Sequence, residues 1–227
     1  MARNTQLIIN TQSVSGEEFI YAGNPTPLLD GDVLVWVAAR LRFENAANVP
    51  DVLLNPTQWN DIIMPALNLR PGATPPAFTA FQNGVFGFSF INGQSDELHG
   101  ACELPHGYKE GTDLYVHVHW SPSNVDIGNC VWNFEYTKAN AAGLFPGTNT
   151  LVTAGGADLG SGVVNSHIFH TIGSISGTVP VIVRIGSILA FRIARPAGDA
   201  FTGDAFLHSI GIHYESDTVG SANQTSK

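Results

Sequence analysis

Residues 113–120 read DLYVHVHW and residues 130–139 read CVWNFEYTKA, and the alternation within these two stretches decides the fold. Successive side chains of an extended chain point to opposite faces, so Val116, Val118 and Trp120 share one face while Tyr115, His117 and His119 share the other. Trp132, Phe134 and Tyr136 fall together in the same way. Apolar residues at a period of two, with polar residues between them, mark half-buried strands. The SPSNVDIGN segment between the two stretches has the polar character of a hairpin loop, so the two strands are expected to pair.

The same pattern recurs outward from this point. VFGFSFIN (85–92) places Phe86, Phe88 and Phe90 on one aromatic face and ends in the turn signal Asn92-Gly93. ELHGACELP (97–105), HIFHTIGSI (167–175), VPVIVRIGSILAFRIAR (179–195) and AFLHSIGIHYE (205–215) read as further strands, separated by Gly-, Thr- and Asn-rich turns. VLVWVAARLRF (33–43) reads as a strand, with a helical turn over AARLRFENAA as the open alternative. The proline-rich stretch from Asn48 to Phe78 reads as an extended connector with short ordered pieces. Short strands punctuated this way point to an all-β protein, an antiparallel jelly-roll-like β-sandwich with an extended N-terminal arm. The expected division is an arm or small subdomain over 1–56 and the sandwich over 57–227, ending in a short disordered tail.

Composition narrows the function classes. Of 227 residues 13% are charged, about half the ~25% of an average soluble protein, and Gly 24 with Pro 13 supplies many turns. The net charge of -9 is carried without any basic cluster. A phosphate-backbone footprint is therefore missing, and nucleic acid is not an expected partner. No apolar run approaches the ~18–20 residues of a membrane helix, and the start lacks a signal-peptide pattern. A soluble protein made in a cytoplasm, with no membrane partner, is the expectation. Cys102 and Cys130 form no CxxC, which argues against a zinc knuckle and leaves free thiols or a disulfide open.

The chemical candidates are few. Gly111, five residues and then His117-Val118-His119 reproduce the beginning of the cupin metal motif, so His117 and His119 are the candidate metal ligands. The glutamate that the motif next requires is absent, Ser123 and Asn124 standing in its place, and Asp126 would serve only if its loop folded back. A divalent ion needs three or more protein ligands. The residues therefore favour a polar strand face over a metal site, and no cofactor is expected. His167 and His170 would face opposite sides of their strand, His99 and His106 sit at loop edges, and His208 lies with Phe206, Ile210, Ile212 and Tyr214 on a buried face. There is no GxSxG elbow, and GGADLGSG (155–162) lacks the lysine of a phosphate loop. No catalytic residue is assigned and an enzyme is not expected. Trp36, Trp59, Trp120 and Trp132 could form a stacking platform for sugar, but Trp120 and Trp132 alternate with apolar neighbours and read as core; replacement of Trp59 is the test of a glycan-binding role.

Taken together, Pro105 to Thr112 (PHGYKEGT), Val116 to Trp120, Trp132 to Tyr136, and Thr202 to Tyr214 resemble a C-terminal domain found in structural proteins of tailed bacteriophages. The resemblance spans roughly residues 57–220, and residues 1–56 carry no such likeness. It implies a virion structural protein, made in the host bacterial cytoplasm, most simply a head decoration or cement protein that binds the major capsid protein as a homotrimer. A tail or fibre component that binds a host glycan and a cupin-like metal-binding protein are the alternatives.

Overall fold

The computed structural model describes residues 34–37, 42–45, 58–153 and 160–218. The chain divides into two compact units, Met1–Pro56 and Thr57–Lys227. In the first, β1 (Leu34–Val37) and β2 (Arg42–Asn45) pair antiparallel, with Leu34 opposite Asn45 and Val37 opposite Arg42. Within the stretch expected to be one strand over 33–43, the described residues thus belong to two strands that pair with each other instead of continuing one another. The rest of the expected arm, and the tail from residue 219 on, lie outside the described residues.

The second unit carries β3 (Gln58–Pro65), β4 (Arg70–Pro71), β5 (Ala77–Gln82), β6 (Val85–Phe90), β7 (Glu97–Glu103), β8 (Leu114–Pro122), β9 (Asn133–Ala139), β10 (Thr150–Thr153), β11 (Ile168–Ile175), β12 (Ile188–Ala194) and β13 (Ala205–Ser216). All named pairings are antiparallel. One sheet runs β11-β8-β13-β6-β5, with β3 also paired to β13, and the other runs β10-β9-β12-β7-β4. From β6 to β13 every connection except the β9–β10 hairpin crosses from one sheet to the other. Eight strands wound this way, four to a sheet, form a jelly roll.

That winding corrects the expected β8–β9 hairpin. β8 pairs with β11 and β13, whereas β9 pairs with β10 and β12 in the opposite sheet. Both strands have one apolar face to bury, and placing them in facing sheets buries both against each other. Val116, Val118 and Trp120 meet Trp132, Phe134 and Tyr136 across the core, all buried. The rings pack edge-on, Trp120 to Trp132 at 6.3 Å and Phe90 to Trp132 at 5.0 Å between centroids, the arrangement that ring quadrupoles favour.

Two further expectations change. The presumed connector holds β3, an eight-residue strand, and Pro65 at its end is tolerated because a strand paired on one side has edge positions that need no donor. The stretch 179–195 is a strand only from Ile188. Its first half, where Val179, Val181 and Ile182 are exposed, forms a loop held by Val183 N–H donating to the Gly177 carbonyl at 2.7 Å. Asn92-Gly93 forms a turn as expected, with Gly93 at φ 79° and Gln94 N–H donating to the Ile91 carbonyl at 3.2 Å. A second Asn-Gly pair, Asn83-Gly84, with φ of 49° and 83°, makes the hairpin turn joining β5 to β6.

A bulge in β13 resolves the place of His208. Leu207 stands opposite Trp120 but Ser209 stands opposite His119, so His208 is an extra residue. One inserted residue reverses the alternation. Ala205 and Leu207 face the core before the bulge, Ile210, Ile212 and Tyr214 after it, and Phe206 and His208 are left on the outer face beside Phe81.

Candidate functional site

The polar face of β8 is the outer face of the sheet, and the residues beside it come from strands distant in sequence. The cross-strand register sets Thr171, His117, Gly211 and Ile63 in one row and Tyr115, His213 and Asp61 in the next. His119 lies in a third row, beside Phe169 and Ser209. Histidines of β8 and β13 and an aspartate of β3 are thereby brought onto one surface.

The two candidate ligands on β8 part company there. His119 Nδ1 lies 2.7 Å from His167 Nε2, a hydrogen bond in which one ring donates and the other accepts, and the rings stack at 4.9 Å. His117 instead points across β13, its Nε2 3.4 Å from Asp61 Oδ2, with His213 Nε2 3.7 Å from the same oxygen. Among the described residues, Asp61, His117 and His213 are the group that offers three metal-ligating atoms, all within 4.8 Å of one another. The two ligands expected from sequence share a face and a ring contact of 5.2 Å, but they do not share that group.

Gly211 makes the arrangement possible. A Cβ at this position would lie 2.1 Å from His117 Nε2 and 3.0 Å from Asp61 Oδ1, so only a residue without a side chain leaves room for the imidazole. Asp126 takes no part. Its carboxylate accepts from Thr202 N–H at 2.7 Å, Thr202 Oγ1 at 2.9 Å and Gly128 N–H at 3.1 Å, holding its own loop against residue 202.

Burial governs the charge of these rings. His117 is 1% exposed, and desolvation pushes its pKa down to about 4 even though the Asp61 carboxylate pulls it upward. Burial also lowers His119 and His208, each pushed further by neighbouring histidines, and lowers His170 on the core side of β11. A histidine neutral when folded but near 6.5 when unfolded takes up protons first in the unfolded chain. The stability it allows is therefore full above about pH 6.5 and is lost as pH falls toward the folded value. In metal-free buffer the urea midpoint is expected to be flat above pH 7 and to drop between pH 6.5 and 5. His117 alone would account for on the order of 1.4 kcal/mol per pH unit. A midpoint unchanged at pH 5 would contradict buried neutral histidines.

His99 lies within β7 rather than at a loop edge, its Nε2 3.5 Å from Glu97 Oε1 on the outer face of the second sheet. There Arg192 bridges Glu97 at 2.8 Å and Glu135 at 2.5 Å, beside a shallow groove of about 480 Å³. Cys102 and Cys130 are free, and burial pushes the Cys102 thiol up to about 11 and raises Cys130 as well, so neither is a reactive thiolate. Asp61 and His213 escape sequence reasoning. The available signal was alternation, WNDI placing Trp59 and Asp61 on one face and GIHY placing Gly211 and His213 on one face, but it becomes useful only once the β3–β13 register is known.

No family model matches the chain and no curated protein matches it. Among solved structures it is similar to the CBM36-1 domain of a multidomain xylanase from the hindgut metagenome of Trinervitermes trinervoides, at 13% identity and a TM-score of 0.39, covering 72% of this chain and 99% of that one. It is also similar to the Arthrobacter globiformis T6 isomalto-dextranase, at 14% identity and 0.39, covering 67% of this chain but 23% of the enzyme. A third likeness, to infectious bursal disease virus, has 11% identity and a TM-score of 0.26, covering 73% and 37%. At these identities and scores the likenesses bear neither on function nor on the site.

Proposed function

We propose that this chain is a virion structural protein of a tailed bacteriophage, a head decoration protein that binds the major capsid protein as a homotrimer and performs no catalysis. The observation that carries the reading is the aromatic ribbon of the β5–β6 hairpin. Phe78 lies 5.6 Å from Phe86 and 5.5 Å from Phe88, and while Phe88 packs against the core, Phe78 and Phe86 are 60% and 50% exposed. Apolar surface left open in this way marks a contact with another chain. The motifs similar to phage structural proteins fall on β8, β9, β13 and the loop before β8, which supports the same reading. Repetition over a shell turns modest contacts into a firm attachment. Quantitative mass spectrometry of density-purified particles tests this: a ratio approaching one copy per capsid subunit is expected, and absence from the particles would overturn it.

The second reading is a tail component that binds a host glycan. It is favoured by Trp59, 53% exposed and packed edge-on against Tyr115 at 5.5 Å. An aromatic pair open to solvent provides a face on which a sugar ring can lie. Under this reading Trp59→Ala abolishes adsorption to host cells while leaving the fold intact; unchanged adsorption removes it.

A further inference from the structure

The spacing of Asp61, His117 and His213 fits a shared ion better than it fits direct pairing. Contacts of 3.4 and 3.7 Å exceed the 2.7–3.2 Å of a good N–H···O hydrogen bond. Asp61 Oδ1 is buried and, among the described residues, accepts no hydrogen bond. Three ligands held at ~2.0–2.1 Å around a tetrahedral ion stand about 3.4 Å from one another, close to the two Asp61–histidine separations, and all three ligand atoms lie within 4.8 Å of one another.

We propose that Asp61, His117 and His213 form a binding site for one divalent first-row transition ion, of the Zn²⁺ class, with imidazole Nε2 from each histidine and a carboxylate oxygen as ligands. Two imidazoles and one carboxylate are donors of the borderline type that zinc, nickel and iron prefer to calcium or magnesium. His117 is buried with its Nε2 already turned toward the Asp61 carboxylate. The His213 and Asp61 side chains are 41% and 23% exposed, which gives the ion an entry path and leaves its remaining positions to water. Gly211 reads as part of the site, because it clears the space through which His117 reaches across β13.

The ion would act as a clip. β3 pairs with β13, and His117 stands on β8, on the other side of β13. A metal bonded to all three strands holds β3 in register across the width of β13. The role is structural, and it stands or falls independently of the virion reading.

The test uses the full chain, stripped with chelator and titrated with Zn²⁺ by calorimetry, with Co²⁺ absorption as a second readout of coordination. One saturable site per chain is expected, together with a rise in melting temperature on adding Zn²⁺. His213→Gln and Asp61→Asn, both at partly exposed positions, should weaken Zn²⁺ binding at least about tenfold while far-UV circular dichroism is retained. His119→Gln should leave the affinity unchanged, since His119 is engaged with His167. Binding without a 1:1 endpoint would overturn the proposal, as would full affinity in the His213 and Asp61 variants. An equal loss in His119→Gln would also overturn it, moving the site to the adjacent histidines of β8.

Discussion

Replacing Arg195 by leucine is expected to cost the fold about 3–5 kcal/mol, the penalty for stranding the buried partner of an ion pair. Arg195 is 1% exposed and the Asp199 side chain 0%, so neither charge is solvated. All five guanidinium N–H groups are used: Nε and Nη2 donate to the two Asp199 oxygens at 2.8 Å, Nη1 donates to the Phe90 and Gly203 carbonyls at 3.0 and 2.7 Å, and Nη2 donates again to the Phe201 carbonyl at 2.6 Å. Asp199 also accepts from Val131 N–H at 3.0 Å, and the guanidinium sits 5.3 Å from the centre of the Phe201 ring. The pair therefore ties the ends of β6 and β12 to the approaches of β9 and β13. Lysine cannot substitute, because a point charge with three donors cannot fill a planar fork of five. Urea unfolding of Arg195→Leu should show the loss, and Arg195→Leu with Asp199→Leu should recover part of it, since the second change removes the stranded charge. A single-variant loss below about 1 kcal/mol would show that the network is not the keystone of this end of the sandwich.

Arg195 also shows where sequence stops informing. As the last residue of an alternating run it looks like an ordinary strand residue, and its partners are a carboxylate one loop away and carbonyls brought in by folding. Alternation along a single strand was legible, and with it the buried faces of β8, of β9 and of β13 beyond its bulge, and the all-β class. What alternation cannot specify is which sheet a strand joins, so two adjacent strands with a short polar loop were expected to pair although the chain crosses the core between them. Prolines concealed β3, because Pro65 matters only to a strand with two partners. Without β3 the Asp61 carboxylate had no place, and His117 was matched to His119, its neighbour in sequence, rather than to His213, its neighbour across the register. The β13 bulge misled in the same way: one inserted residue puts His208 on the opposite side from Ile210, and no local pattern announces it.

Trp132→Ala is expected to lower stability by about 3–5 kcal/mol, equivalent to a fall in melting temperature on the order of 10 °C for a chain of this size. Trp132 is fully buried, edge-on to Phe90 at 5.0 Å and to Trp120 at 6.3 Å, and Trp120 in turn meets Phe201 at 5.5 Å. Deleting the indole opens a cavity at the contact between the two sheets, where strands fixed on both sides cannot collapse to fill it. Trp132→Phe should cost much less, because the ring packing survives and the indole N–H it removes is a buried donor without an acceptor among the described residues. Trp59→Ala, at a surface position, should stay within about 0.5 kcal/mol of the parent protein. Melting curves of the three variants would separate the aromatic residues that hold the jelly roll together from the one available to a ligand. If Trp59→Ala destabilised the fold as much as Trp132→Ala, its exposed pairing with Tyr115 would be a fastening of β3 to the sheet, and the glycan reading would lose the residue it depends on.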